Sequence, residues 1–202
     1  MGLKLFTCGG GHVLLPDRNL VLVDRRDGGV LIVTPPREVW ERGELSPEEL
    51  TLWSFLVAAT GRAMLDALPQ LDGGCVNYWE AGNWALHERA EPAGPKRARE
   101  HRRVHANLLG RSRTAADPSW RWGEAPKFPD FDERHAWASE FERLSDGECR
   151  DVIARAEDLL KTRYGMRAAQ VAPWSPCRAC GYPSPLDQGW AVGACAECGA
   201  VA

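Results

Sequence analysis

Two runs of apolar residues in the first quarter of the chain have the pattern of neighbouring strands. Residues 19–23 and 29–33 are rich in β-branched side chains, and residues 24–28 between them have the Asp and Gly composition of a turn. The pattern predicts a β-hairpin within residues 13–33. Pro35 and Pro36 follow, and because proline cannot continue a hydrogen-bonded ladder, the second strand is expected to end there.

Helical periodicity occurs in two places, and a capping box precedes each. Ser46 is followed by a proline at the first helical position and by a glutamate three residues after the serine, which predicts a helix from about 47 to 68. Pro69 is expected to stop that helix. The same signature recurs at Ser145 and predicts a second helix from about 146 to 164.

Two further strands are predicted on either side of a polar segment. Residues 73–79 and 103–111 have strand character, whereas residues 87–102 are expected to form a loop or a short surface helix from about 96 to 102. Side chains alternate across a strand, so one face of the second strand is apolar. That face consists of Val104, Ala106 and Leu108, and the opposite face of Arg103, His105, Asn107, Leu109 and Arg111.

These elements predict an α+β domain with an antiparallel sheet and packed helices over residues 1–165, followed by a linker and a small module over 166–202. Residues 112–131 show little periodicity and are expected to form a loop. Trp120 and Trp122 lie in that loop, where they would either line a pocket or, as we favour, pin the loop to the domain.

Composition narrows the class of protein. The 202 residues are 44% hydrophobic and 26% charged, which excludes wholesale disorder, and the formal net charge of −3 excludes binding driven by bulk positive charge. No apolar run approaches the roughly 20 residues that a membrane helix needs, and the start of the chain lacks the layout of a signal peptide. We therefore expect a cytoplasmic protein without a membrane partner.

The end of the chain carries two copies of a Cys-x-x-Cys-Gly unit. Its cysteines are Cys177, Cys180, Cys195 and Cys198. Two such units give a tetrahedral site of four thiolates, which predicts a structural zinc in a zinc-ribbon-like module, with iron as the main competitor. A redox pair or two disulfides fit the spacing and the expected compartment less well. A closed shell of four thiolates leaves no open position for catalysis.

His105 has neighbours that suit attack on phosphorus. Arg103, Asn107 and Arg111 share its predicted face, and Asn77 and Asn83 lie on the strand and turn that come before it. A neutral imidazole can add to a phosphoryl group while amide and guanidinium donors hold the charged oxygens. The sequence thus indicates His105 as a nucleophile and the other five residues as phosphate- or nucleotide-binding groups.

The order of these features resembles the histidine triad superfamily, specifically its diadenosine tetraphosphate hydrolase-like branch. The resemblance rests on the hairpin, the capped helix, the Asn77 strand, the Gly82–Asn83 pair and the stretch Val-His-Ala-Asn-Leu-Leu-Gly-Arg, and covers approximately residues 13–111. It implies an antiparallel HIT-like sheet and a strand with three alternating histidines, the middle one of which forms a nucleotidyl-histidine intermediate. His105 matches the middle histidine, and Arg103 and Asn107 replace the other two.

The resemblance implies a hydrolase or nucleotidyl transferase for phosphoanhydrides or phosphoramidates, such as dinucleoside polyphosphates, and it allows a homodimer. Two alternatives stay open. One is a nucleotide sensor or adaptor without catalysis. The other is a hydrolase of adenylated nucleic-acid 5′ ends, similar to aprataxin, whose zinc module also follows its catalytic domain.

The sequence leaves two interpretations for several other basic residues and histidines. Eight Lys or Arg lie between Arg89 and Arg113, and they form either a solvated charged face or an approach for phosphates. His101 alternates onto the face of His105 and belongs either to the polar segment of residues 87–102 or to the reaction as a leaving-group acid. His87 has the same two interpretations, and His12 and His135 are assigned no role.

Overall fold

The protein is described by a computed structural model that covers residues 2–166, 170–171, 174–176, 179 and 183–185. It is an α+β fold, as the sequence predicts. Six antiparallel strands form the main sheet in the order β4-β5-β3-β2-β1-β6. The strands are β1 (Gly2–Cys8), β2 (Gly11–Pro16), β3 (Val30–Thr34), β4 (Cys75–Ala81), β5 (His105–Arg111) and the two-residue β6 (Gln170–Val171).

Both predicted helices are present, and both pack on one face of the sheet. Helix α1 (Pro47–Ala67) and helix α4 (Asp146–Thr162) each begin with a complete capping box. In α1 the backbone N–H of Glu49 donates to Ser46 Oγ at 3.2 Å, which satisfies a helical donor that has no partner within the helix. The two helices and the sheet share one apolar core, to which Leu31, Leu56 and Ile153 belong. Burial of this face holds the domain together.

The predicted hairpin of residues 19–23 and 29–33 is wrong in its first strand. Residues 18–27 form two short 3-10 turns with a linking segment, and β3 pairs with β2 and β5 instead. The Asp24 carboxylate accepts bonds from the backbone N–H groups of Arg26 and Glu142, which holds this segment in turns. Val21 and Val23 are nevertheless buried, so their β-branched run reflects burial rather than strand pairing.

The second face of the sheet is covered by residues 112–144, which we call the covering segment. Trp120 is buried in it, and its indole N–H donates to the Gly110 carbonyl of β5 at 2.8 Å. This tryptophan pins the loop to the domain, as favoured from the sequence, whereas Trp122 is 42% exposed. The covering segment also contains helix α3 (Arg134–Ser139), which the sequence pattern did not predict.

Strands β4 and β5 confirm the two predicted strands with small shifts at their ends. They pair with Trp79 opposite Asn107 and Ala81 opposite His105. The predicted division of faces in β5 is also confirmed, because Val104, Ala106 and Leu108 belong to the helix-side core whereas Leu109 packs with Trp120 on the other side. The short helix α2 (Ala98–His101) lies where a surface helix was one of the two expectations.

The end of the chain is described only in part. Strands β7 (Trp174–Pro176) and β8 (Pro183–Pro185) pair antiparallel with each other, and β6 pairs with β1. The four cysteines predicted to hold zinc, Cys177, Cys180, Cys195 and Cys198, lie outside the described residues. In the part of the chain that is described, no helix is both long and apolar enough to cross a bilayer.

Candidate functional site

A cavity of about 610 Å³ lies between the face of the sheet that carries His105 and the covering segment. Strands β3, β4 and β5 provide its floor, and the turn after β4, the end of α2 and the covering segment provide its walls. The cavity combines a largely apolar lining with a few polar groups, which is typical of small-molecule sites. Its polar and charged lining residues are Asn83, His101, Arg103, His105, Asn107 and Arg134.

His105 lies at the start of β5, and its ring is held by the backbone. Its Nδ1 is 2.9 Å from the carbonyl oxygen of Arg103. Because a carbonyl oxygen only accepts hydrogen bonds, Nδ1 carries the proton in this contact and Nε2 keeps its lone pair. Burial lowers the pKa of His105 below its ordinary value, which favours the neutral ring. The imidazole is therefore uncharged, oriented and nucleophilic at Nε2.

Two amide side chains accompany this imidazole in the cavity. Asn107 is buried one pleat further along β5, and its Nδ2 lies 3.5 Å from the Trp79 carbonyl. Asn83 begins a 3-10 turn directly after β4. The turn needs Gly82, whose φ is 132° and whose added Cβ would lie 2.9 Å from the Arg103 carbonyl oxygen. The tight turn thus brings Asn83 beside the segment that leads into His105.

Aromatic rings form much of the remaining wall. Trp79 stacks on Phe128 of the covering segment with a centroid distance of 4.5 Å and an interplanar angle of 14°. Trp84 and Phe131 also line the cavity. Flat apolar surfaces of this kind favour a planar ring such as a nucleobase.

The cavity has two guanidinium groups with different surroundings. Arg103 donates to Glu38 at 3.0 Å and to the Arg102 carbonyl at 2.8 Å, so part of its hydrogen-bonding capacity is used within the protein. Arg134 lies over the Phe131 ring, 3.5 Å from its centroid, and donates to the Phe131 carbonyl. Desolvation lowers the pKa of Arg134.

Sequence reasoning missed Arg134 together with the aromatic residues Phe128 and Phe131. They lie in the covering segment, where no apolar period marks which side chains turn inward. A usable signal was the aromatic content of residues 128–141, which begin within the expected loop of residues 112–131 and contain Phe128, Phe131, Trp137 and Phe141. His101, by contrast, was considered from its alternation with His105, and it does line the cavity.

Two of the predicted phosphate-binding residues are not brought to the cavity. Arg111 is buried at the far end of β5, where its guanidinium lies over Trp120 and donates to the carbonyls of Arg121 and Glu124. Asn77 lies at an earlier position of β4, where its amide oxygen is 3.8 Å from the Cys75 thiol. Neither residue belongs to the cavity lining. Arg111 instead fastens the covering segment to the sheet.

The basic stretch from Arg89 to Arg113 is largely neutralised within the protein. Arg89, Arg99, Arg102 and Arg103 each pair with a carboxylate, in the order Asp132, Glu44, Glu41 and Glu38. Lys96 donates to two backbone carbonyls. These contacts match the interpretation of the stretch as a solvated, internally paired face and leave few cations to attract phosphate from solution.

No protein-family model matches the chain, and no curated protein matches it either. Within the described residues, no group of three or more His, Cys, Asp or Glu side chains is arranged to hold a metal ion.

Proposed function

We propose that the protein is a nucleotide hydrolase or nucleotidyl transferase that acts on a phosphoanhydride or phosphoramidate through a covalent intermediate on His105. The observation that carries this proposal is the 2.9 Å contact between His105 Nδ1 and the Arg103 carbonyl oxygen. Because the carbonyl oxygen accepts a proton from Nδ1, the nucleophilic lone pair lies on Nε2 of a ring that lines the cavity.

The reaction divides into two displacements at phosphorus. His105 Nε2 forms a bond to the phosphoryl group, and the bond to the leaving group breaks with its electron pair going to the leaving atom. Water or another acceptor then attacks the same phosphorus, loses its proton to solvent or to a basic side chain, and the N–P bond breaks to restore the neutral imidazole. Two easier steps replace one difficult step.

The remaining polar groups of the cavity suit the charge that develops in these steps. The amides of Asn83 and Asn107 can donate to non-bridging phosphoryl oxygens, and so can the part of the Arg103 guanidinium that its partners leave accessible. The stacked Trp79 and Phe128 offer a flat surface to the base. In this arrangement Asn77 and Arg111 support the site from outside its lining rather than bind phosphate.

Turnover of a nucleotide panel tests the proposal. Wild type and His105→Ala would be incubated with dinucleoside polyphosphates and nucleoside phosphoramidates, and the products separated by chromatography. We expect wild type to release a nucleoside monophosphate and His105→Ala to release none, because its nucleophile is gone. His135→Ala is the matched control, since His135 is exposed and lies outside the cavity lining.

The outcomes separate catalysis from binding alone. Turnover by His105→Ala at the wild-type rate would overturn the role of this residue. Nucleotide binding by wild type without any turnover would favour the sensor or adaptor instead. Salt-sensitive binding and deadenylation of an adenylated oligonucleotide would favour the end-processing alternative.

A further inference from the structure

We infer, building on the proposed function, that Arg134 binds an anionic phosphoryl group of the ligand other than the one attacked by His105. The substrate class is therefore a phosphoanhydride, which carries a second phosphoryl group, in preference to a phosphoramidate. Arg134 belongs to α3 in the covering segment, a residue and an element to which sequence reasoning assigned no role.

The charge balance of the cavity is the first support. None of the described residues that line it is acidic, and Arg103 is already paired with Glu38. Arg134 is not paired with a carboxylate anywhere in the described part of the chain, where its contacts are the Phe131 ring and the Phe131 carbonyl. A partly desolvated guanidinium without a counter-ion is stabilised when a ligand supplies one.

The second support is that Arg134 is held in place before any ligand arrives. The His87 ring stacks on Phe131 with a centroid distance of 4.0 Å and an interplanar angle of 8°, and the Arg134 guanidinium lies 3.5 Å from the same centroid. Two groups this close to one ring centre must occupy its opposite faces. The Arg89–Asp132 ion pair further ties Phe131 and its neighbours to the turn after β4. The guanidinium is thus fixed, and this reduces the entropy lost on binding.

Arg134 and His105 line the cavity from different parts of the fold. His105 and Asn107 rise from the sheet that forms the cavity floor, whereas Arg134 comes from the covering segment above that floor. A guanidinium presents five N–H donors, and only one of them is used by the Phe131 carbonyl. The remaining donors suit a tetrahedral oxyanion on the side of the ligand that faces away from His105.

Calorimetric titration with inorganic pyrophosphate tests this inference without a nucleotide or a reaction. The proteins compared are wild type, Arg134→Gln, Arg134→Lys and, as a matched control, Arg121→Gln, whose exposed arginine lies in the covering segment outside the cavity lining. We expect the dissociation constant to rise about tenfold or more in Arg134→Gln, to rise less in Arg134→Lys, and to stay at the wild-type value in Arg121→Gln. Equal thermal midpoints would establish that the variants are folded.

Steady-state kinetics with two substrate classes provide a second test of this inference. In Arg134→Gln the KM for a dinucleoside polyphosphate should rise at least about tenfold, whereas the KM for a nucleoside phosphoramidate, with its single phosphoryl group, should change by less than about threefold. Absence of pyrophosphate binding in wild type, or equal binding in wild type and Arg134→Gln, would overturn the inference. Either result is compatible with turnover that depends on His105, so failure of the inference and failure of the proposed function can be told apart.

Discussion

The contact between His105 Nδ1 and the Arg103 carbonyl determines which ring nitrogen of this histidine keeps its lone pair. The carbonyl belongs to Arg103, two residues before His105 and the start of β5, so the segment that leads into the strand also fixes the tautomer of the imidazole. The neighbouring side chains are compatible with this arrangement, because Asn107 brings an amide to the cavity and Arg103 turns its own guanidinium towards Glu38. One hydrogen bond to the backbone thus orients the proposed nucleophile.

Stability should depend on pH through His105. Burial lowers the pKa of His105, so the folded state binds a proton less readily than the unfolded chain. The contribution of this group is complete above the unfolded pKa of about 6.5 and is lost as the pH falls through the lower folded value. We expect the free energy of unfolding, measured with denaturant, to fall on acidification below about pH 6.5 more steeply in wild type than in His105→Gln. The lowered pKa of His12 affects wild type and His105→Gln alike, so it cannot produce a difference between them. Parallel curves of unfolding free energy against pH would therefore contradict the role given to His105.

A close approach between two backbones makes Gly110 intolerant of substitution. A Cβ on Gly110 would lie 2.2 Å from the Gly28 carbonyl oxygen and 2.6 Å from its carbon, and rotation of a side chain cannot relieve such a clash. Gly110→Ala should therefore destabilise the protein by about 1–3 kcal/mol or more. Gly147→Ala is the matched control, because no atom lies within 4 Å of its added Cβ and it sits in the first turn of α4, where alanine should be neutral or stabilising by at most about 0.5–1 kcal/mol. Urea unfolding of both variants checks the sign and size of each effect.

At the scale of elements, the cavity depends on how the covering segment is fastened to the sheet. The buried Asp27 carboxylate accepts backbone bonds from Ala116 at 2.8 Å and Asp117 at 3.0 Å, and Trp120 and Arg111 add contacts within the next few residues. These anchors lie at the start of the segment, whereas Phe128 and Phe131 line the cavity further along. The contacts at the start of the covering segment therefore position the aromatic residues that line the cavity.

Asp27→Asn should loosen this anchor. One carboxylate oxygen becomes an NH₂ group that cannot accept a bond, so a buried N–H donor of the covering segment loses its partner, at a cost of about 1–3 kcal/mol. We expect amide hydrogen exchange in residues 112–120 to be faster in Asp27→Asn than in wild type, and this increase to be larger than in the rest of the domain. Asp72→Asn, at an exposed aspartate, should exchange like wild type. Unchanged protection of residues 112–120 in Asp27→Asn would mean that other contacts hold the segment.

The sequence predicts those elements best whose signal is local. Capping boxes at Ser46 and Ser145 locate both long helices, and period-two alternation divides the faces of β5 correctly. The pattern fails where burial comes from distant parts of the chain, as for Val21 and Val23, whose apolar run packs under the covering segment without joining the sheet. Arg111 shows the same limit within the site, since alternation gives its face but not its distance from His105.

At the scale of the whole molecule, we propose that the cysteine-rich end of the chain forms a metal-binding module. Its support is the repeated Cys-x-x-Cys-Gly spacing, because such pairs place two thiolates at one ion. Metal bound only by the folded module stabilises it by mass action. This proposal is independent of the cavity.

Elemental analysis of the purified full chain tests the module. We expect one zinc per chain, and we expect Cys195→Ser to lower the zinc content sharply because one thiolate ligand is lost. Cys75→Ser is the control, since Cys75 is a free thiol in β4 and should not affect metal content. Iron in place of zinc would correct the identity of the metal, and a metal content unaffected by Cys195→Ser would contradict the site.

The proposed reaction requires His105 to become covalently attached to phosphorus. Its most direct test is mass spectrometry of wild type that is quenched under alkaline conditions during incubation with an isotopically labelled dinucleoside polyphosphate, followed by peptide mapping. We expect a nucleoside monophosphate adduct on the peptide that contains His105, and none in His105→Ala. Labelled product released without any such adduct, or an adduct on another residue, would contradict it.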